Sequence, residues 1–155
     1  MAYQKLQGLR AINVYPNDDV RIPSPSDLVA SGDNDAVAAN LLEDSTANFL
    51  GKVKPGATVY NTTTNATATV TRVDDTVLTL SEDIFTATPE GYAVYNTDNS
   101  EGPVLFVGTG GTLAIKTVGG DLVQLVNVAN ASFIPIMVGT VQDTGTSASD
   151  IIALW

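Results

Sequence analysis

The chain has 155 residues, 44% of them hydrophobic, and seven Lys+Arg against 17 Asp+Glu give it a formal charge of −10. That is apolar matter enough for one domain, or one domain carrying a smaller one, and it argues against general disorder. Histidine and cysteine are both missing, which excludes zincins, deaminases, papain-like and Ser-His-Asp enzymes together, along with any disulfide frame, while the acidic balance argues against a nucleic-acid-binding surface.

Nineteen Thr and 18 Val make up almost a quarter of the chain, and β-branched side chains fit a pleated, half-buried surface, so the expected fold class is all-β. In chain order, Ala11 to Tyr15 alternates and stops at Pro16-Asn17-Asp18-Asp19. Arg21 to Ser26 holds two prolines in three positions and is expected to be extended but kept out of a sheet. Asp27 to Ala30 leads into a turn cluster, Ser31 to Asp35. Ala36 to Leu42 is helix-like in composition but under two turns long, so it reads as a strand ending near Leu42, followed by one helical turn at Glu43 to Phe49. Strands follow at Thr58–Asn61, Thr67–Val73, Thr76–Leu80 and Tyr92–Tyr95, with Asp74-Asp75 as a hairpin turn.

The last third repeats the pattern at tighter spacing. Val104–Val107 is a buried-type strand stopped by Gly108-Thr109-Gly110-Gly111, and Thr112–Thr117 turns through Gly119-Gly120-Asp121 into Leu122–Val128. Ser132 to Val141 reads as one longer run with Pro135 inside it, hence an edge or a bulge, and Asp150 to Trp155 is an apolar final strand. Turns every 8–12 residues are those of a sandwich or small barrel. No apolar run approaches the ~20 residues of a membrane span, and Met1 to Arg10 lacks the apolar centre of a signal peptide. The charge is uneven: residues 28–102 carry a balance of −8 and the remainder −2. Two arrangements fit, an acidic unit inserted into a near-neutral scaffold or a single sandwich with one acidic sheet.

Tested for chemistry, the motifs yield little. The third glycine of a dinucleotide loop beginning at Gly108 falls on Leu113, and the segment after it reads as strand, leaving no helix N-terminus to cradle phosphate. A calcium loop beginning at Asp33 wants Gly and Glu where Ala38 and Asp44 stand. Asp18-Asp19, Asp74-Asp75 and Glu82-Asp83 each sit beside a turn, and neighbours along a strand point apart. Sequons at Asn61, Asn65 and Asn130 read as turns. No catalytic residue, metal site or cofactor is expected. Tyr60, Tyr92 and Tyr95 fall in strand patterns; exposed together on one face they would form a sugar platform, and buried they are core.

Two sets of motifs resemble known proteins. Arg10 to Asp18 with Ile22-Pro23-Ser24-Pro25, then Leu105 to Gly111, Gly119-Gly120-Asp121, Ile134-Pro135-Ile136, and Thr144-Gly145-Thr146 through Ile152 to Trp155, are similar to the spike-base family of tailed-phage virions and gene transfer agents. Leu41 to Ser45, Val53 to Asn61 and Leu78 to Phe85 look like a small β module found in many phage structural proteins. In shorter members the Pro-rich segment runs almost directly into the strand before Gly-Thr-Gly-Gly; residues 28–102 intervene here, which favours the insertion.

The resemblance implies a capsid-surface role, with a ring of subunits supporting a fibre or spike, and no catalytic residues. The expected architecture is therefore a small β-sandwich or barrel scaffold (1–27 with 103–155) for subunit contacts and capsid attachment, with an inserted second small β domain (28–102) projecting outward. Tyr15, Ile22, Pro23, Pro25, Phe106, Ile134, Ile136 and Trp155 are the expected packing or interface residues, residues 10–25 the docking segment, and both chain ends are expected to be packed. The expected partners are copies of the chain in a ring (pentamer or trimer), the major capsid protein and a fibre or spike protein, with no nucleic acid and no membrane. The expected location is the virion, after synthesis in the host cytoplasm. The alternatives are a carbohydrate-binding or host-adhesion module of a phage tail or fibre, resting on the three tyrosines, and a carboxylate-only glycosidase, which needs two acids facing across a groove about 5–10 Å wide.

Overall fold

A computed structural model describes residues 8–97 and 101–155. The described residues are nearly all β, with no α-helix and a single 3-10 turn at Pro25–Asp27. The strands are β1 (Ala11–Asn13), β2 (Leu28–Asp33), β3 (Leu41–Glu43), β4 (Thr58–Asn61), β5 (Ala66–Val73), β6 (Val77–Leu80), β7 (Gly91–Tyr95), β8 (Val104–Thr109), β9 (Gly111–Thr117), β10 (Leu122–Val128), β11 (Ser132–Ile134), β12 (Val138–Val141) and β13 (Ser149–Leu154). The chain divides into two compact units, Met1–Pro25 with Asn99–Trp155, and Ser26–Asp98. The sequence reading sets these boundaries at 27/28 and 102/103.

The discontinuous unit is a sandwich of two antiparallel sheets, β1-β13-β8-β11 and β10-β9-β12. Alternation along each strand sends one set of side chains inward. Leu105 and Val107 of β8 with Ile151 and Ala153 of β13 come from one sheet, and Leu113 and Ile115 of β9 with Val138 and Val141 of β12 from the other; they share one core with Val14 and Ile22. Between β8 and β9 a Cβ on Gly110 would lie 2.1 Å from the Val128 carbonyl oxygen, so only glycine lets these backbones approach. Gly120, at φ 95°, makes the turn between β9 and β10. At the C-terminal end the Trp155 amide donates to the Arg10 carbonyl at 2.9 Å, beside the pairing of β13 with β1. The expected packing of the other end falls on residues 1–7, outside the described residues.

The continuous unit is a six-stranded antiparallel sheet in the order β2-β7-β4-β5-β6-β3. It curls until its ends meet: Ala36 bridges Glu43, and the Asp35 amide donates to the Glu43 carbonyl at 3.0 Å. Leu42, Phe49, Val59, Val70, Leu78, Phe85 and Val94 fill it, and the Phe49 and Tyr92 rings meet edge-on at 5.9 Å. One end is tied by buried amides. Asn34 accepts from the Glu90 amide at 2.7 Å and donates to the Ala36 and Ala87 carbonyls, while Asn61 donates to the Ile84 carbonyl at 2.7 Å and to Glu90 Oε2 at 3.1 Å.

Four expectations are corrected. Glu43 to Phe49 forms one tight turn, with the Ala47 amide donating to the Asp44 carbonyl at 3.0 Å, rather than a helical turn, because Asp44 Oδ1 accepts from the Thr46 amide and hydroxyl and the Phe49 amide donates to the Asp75 carbonyl; local side-chain bonds and a distant carbonyl take the donors a helix would use. Ala36 to Leu42 is not a continuous strand, since Asn40 at φ 58° turns the chain between an isolated bridge and β3. Ser31 to Asp33 continues β2 rather than turning. Ser132 to Val141 splits around Pro135 into β11 and β12, which belong to different sheets.

Both edges of the segment 26–98 lie close, with the Asn96 amide donating to the Asp27 carbonyl at 3.0 Å, and it has a core of its own. Residues 26–98 expressed alone are expected to fold, giving a β-type circular dichroism spectrum and one cooperative urea transition. Phe49→Ala, at a fully buried position, is expected to destabilise that fragment by about 3–5 kcal/mol.

Candidate interaction surface

In the sandwich unit the four-stranded sheet is apolar on both faces. Its inner face follows from the register: Ile12 opposes Ala153, Ala153 opposes Leu105, and Leu105 opposes Ile134. One residue along, Ile152, Phe106 and Phe133 stand side by side across β13, β8 and β11 on the outer face, because neighbours on a strand point to opposite sides. Ile152 and Phe106 are half-buried, and Phe133 is 40% exposed. Val104 and Leu154, paired with one another, extend the patch. Beyond β11, Ile136 and Met137 are also exposed.

A second apolar surface lies on β10, the edge strand of the other sheet. Leu122 is 70% exposed and Val126 67%. Beside them a shallow groove of about 220 Å³ is lined by Ala114, Leu122, Gln124, Gln142 and Thr144 among others. Its polar rim is held by Asp18: Oδ1 accepts from the Thr144 amide at 2.9 Å, Oδ2 from the Thr144 hydroxyl at 2.6 Å, and the Asp18 carbonyl accepts from Gln142 Nε2 at 3.0 Å. All of these exposed apolar residues from Leu122 to Met137 lie in a stretch without one charged residue between Asp121 and Asp143.

The expected interface residues separate into distinct settings. Ile22 and Pro23 are buried, and the Ile22 and Asn17 amides donate to the Gly139 and Val141 carbonyls, both at 2.9 Å, so the Pro-rich segment covers the outer edge of β12. Ile134 is core, Tyr15, Pro25 and Trp155 are half-buried, and only Ile136 is exposed. Phe106 belongs to the outer row. Leu122, Val126 and Phe133 were not singled out by sequence reasoning; the missed signal is the uncharged stretch itself.

The acidic unit has a cleft of about 460 Å³ along Leu28–Ser31 of β2, Asp44–Phe49, Lys52 and Tyr92. Its carboxylate is already engaged, since Asp44 Oδ2 accepts from the buried Tyr92 hydroxyl at 2.7 Å. Burial opposes ionisation of Asp44, but hydrogen bonds from Thr46 and Tyr92 outweigh it and hold the carboxyl below its ordinary value; the same burial, then that bond, push the Tyr92 phenol up. Asp35, bonded to the Ser45 hydroxyl and amide, and Asp18, bonded to Thr144, are likewise lowered. Tyr60, Tyr92 and Tyr95 are all buried, Tyr60 and Tyr95 edge-on at 5.6 Å, which removes the sugar platform. Asn61 is fully buried, so that sequon is part of the core. Among the described residues no group of three or more acidic side chains is arranged to hold a metal ion.

Comparison with protein-family models, curated proteins and solved structures finds no match to this chain.

The lowered carboxyls of Asp18, Asp35 and Asp44 release their protons more readily folded than unfolded. They therefore stabilise the fold above the unfolded-state value, and that contribution is lost as pH falls through the folded-state values. Urea midpoints are expected to hold steady from neutrality down to about pH 5 and to drop below about pH 4. Asp44→Asn is expected to make that acid loss shallower.

Proposed function

We propose that this chain is a non-enzymatic structural protein of a phage-type virion, a homo-oligomeric capsid decoration or head-spike base on the outer particle surface. The observation that carries the reading is the outer row Ile152, Phe106 and Phe133 on a sheet whose other face is already the core. A sheet apolar on both faces is stable in water when both are covered, so this one calls for a further layer of protein. The order of motifs, which resembles that of spike-base proteins, supports sister subunits and capsid as that layer. The acidic unit suits the solvent side of such a particle, where like charge keeps particles apart. Its carboxylates Asp35 and Asp44 are occupied in turns and caps, a use that serves folding.

Mass spectrometry of purified particles is expected to detect the chain at a fixed copy number, and light scattering on the isolated protein to find species larger than a monomer at micromolar concentration. Phe133→Glu is expected to reduce incorporation into particles while leaving the subunit folded, because the side chain lies on the exposed face of β11. Particles that lack the chain would overturn the virion reading, and a strictly monomeric protein would overturn the self-association in it.

A further inference from the structure

The open edge of β10 has a readable hydrogen-bonding phase. The Thr117 amide donates to the Asp121 carbonyl at 2.9 Å, so these two form a hydrogen-bonded pair. Antiparallel alternation then makes Ile115/Val123 and Leu113/Leu125 hydrogen-bonded pairs, and Lys116/Leu122 and Ala114/Gln124 non-hydrogen-bonded ones. The far side of β9 agrees, because the Ala114 carbonyl accepts from the Gln142 amide at 2.9 Å, away from β10. Leu122 and Gln124 thus turn their backbone N–H and C=O groups to the open edge, and Val126 continues the alternation along β10 where the register with β9 shifts between Leu125 and Val128. Their side chains share the outer face of the sheet with Ala114 and Lys116, while Val123 and Leu125 lie on the side of the buried Ile115 and Leu113.

The usable stretch is short and has a centre. The Gly119-Gly120 turn and Asp121 precede it, and Asn127 at φ 57° bends the strand after Val126. Gln124 is the midpoint of Leu122–Val126.

We propose that two copies of this chain pair β10 to β10, antiparallel, about a two-fold axis at Gln124, so that β10-β9-β12 continues into a six-stranded sheet. In this register Leu122 lies opposite Val126 of the partner subunit and Val126 opposite the partner's Leu122, which brings together the two most exposed hydrophobic residues of the strand. Val123 opposes the partner's Leu125 on the other face, and Gln124 opposes its own copy. Backbone pairing requires opposed residues that both face the open edge, which leaves shifts by whole pairs as the competitors. A centre at Val123 sets Val126 against the partner's Gly120, in the turn. A centre at Leu125 sets Leu122 against the partner's Val128, beyond the bend. Each strands one of the two apolar side chains.

The near-symmetry of Leu122-Val123-Gln124-Leu125-Val126 about Gln124 selects a second copy as the occupant. Copies of −10 repel, and they approach most favourably through a surface bearing no charge, as Leu122–Val128 is. A strand complementary to itself is also the requirement of an isologous contact. The inference rests on the self-association in the functional reading and names one contact of it. A dyad contact joins subunits in pairs, so any odd-numbered ring would close through another surface, such as the Phe133 row.

Because the chain has no cysteine, single introduced cysteines report the register on the full-length protein. Gln124→Cys is expected to give a covalent dimer under mild oxidation, since directly opposed residues lie about 5.5 Å apart, within disulfide range. Leu122→Cys and Val126→Cys are each expected to stay uncrosslinked alone and to crosslink when mixed. Light scattering of the unaltered chain should give twice its 16.1 kDa mass, and Gln124→Pro, which removes an outward donor but no β9 bond, should weaken the dimer about tenfold or more. Its thermal unfolding serves as the folding control, and the cysteine series stands if that variant does not fold. A monomer, a trimer or pentamer without dimers, a different crosslinking pattern, or a dimer indifferent to Gln124→Pro overturns the pairing. The virion reading falls on a different result, the absence of the chain from particles.

Discussion

A β-sheet leaves two things to be finished, its edge strands and any apolar face it does not bury, and the way this chain finishes them governs its architecture. Unpaired strand edges offer a row of backbone donors and acceptors to any passing strand. In the acidic unit the sheet curls until β2 and β3 approach, with the Ala36–Glu43 bridge joining its ends at one point. In the sandwich unit the outer edge of β12 is covered by the Asn17–Ile22 segment. β10 is finished by neither device, and its residues are uncharged and mostly apolar where edge strands commonly carry lysine or proline.

The same contrast extends to the faces. The inner surfaces of both units are close-fitting clusters of Val, Leu, Ile and Phe, while the outer face of β1-β13-β8-β11 adds a second apolar row at Ile152, Phe106 and Phe133. Surplus apolar surface is concentrated in the near-neutral unit, and most of the charge in the other. In the proposed reading this division gives association to one unit and repulsion from like particles to the other. The polar side chains of the acidic unit are largely structural: Asn34, Asn61 and Glu90 tie the 84–90 loop to the strands, and Asp44 caps its own turn while anchoring Tyr92.

Much of the strand pattern was legible because alternation and turn residues act locally. Thr58–Asn61 is identical in sequence and structure, and β5, β6, β7, β9 and β10 fall within a residue or two of their expected limits. The errors share a cause. The Phe49 amide is taken by the Asp75 carbonyl, and Pro135 interrupts a run whose halves then join separate sheets; both outcomes depend on partners far away in the chain. The surface residues were less legible than the core. Phe106 and Ile134 look alike in sequence, yet register sends one outward and the other inward.

Composition, charge distribution and period-two alternation were enough to determine an all-β chain without the histidine or cysteine chemistry of many enzymes, and with its acidity gathered in the middle. These properties are sums over residues or over nearest neighbours. Tertiary structure alone decided that Tyr60, Tyr92 and Tyr95 are core, that the Pro-rich segment guards β12, and that Leu122 and Val126 are left outside. Exposure depends on strand order and register, which bring together residues distant in sequence, and a one-residue slip in either would reverse which side of each strand meets water.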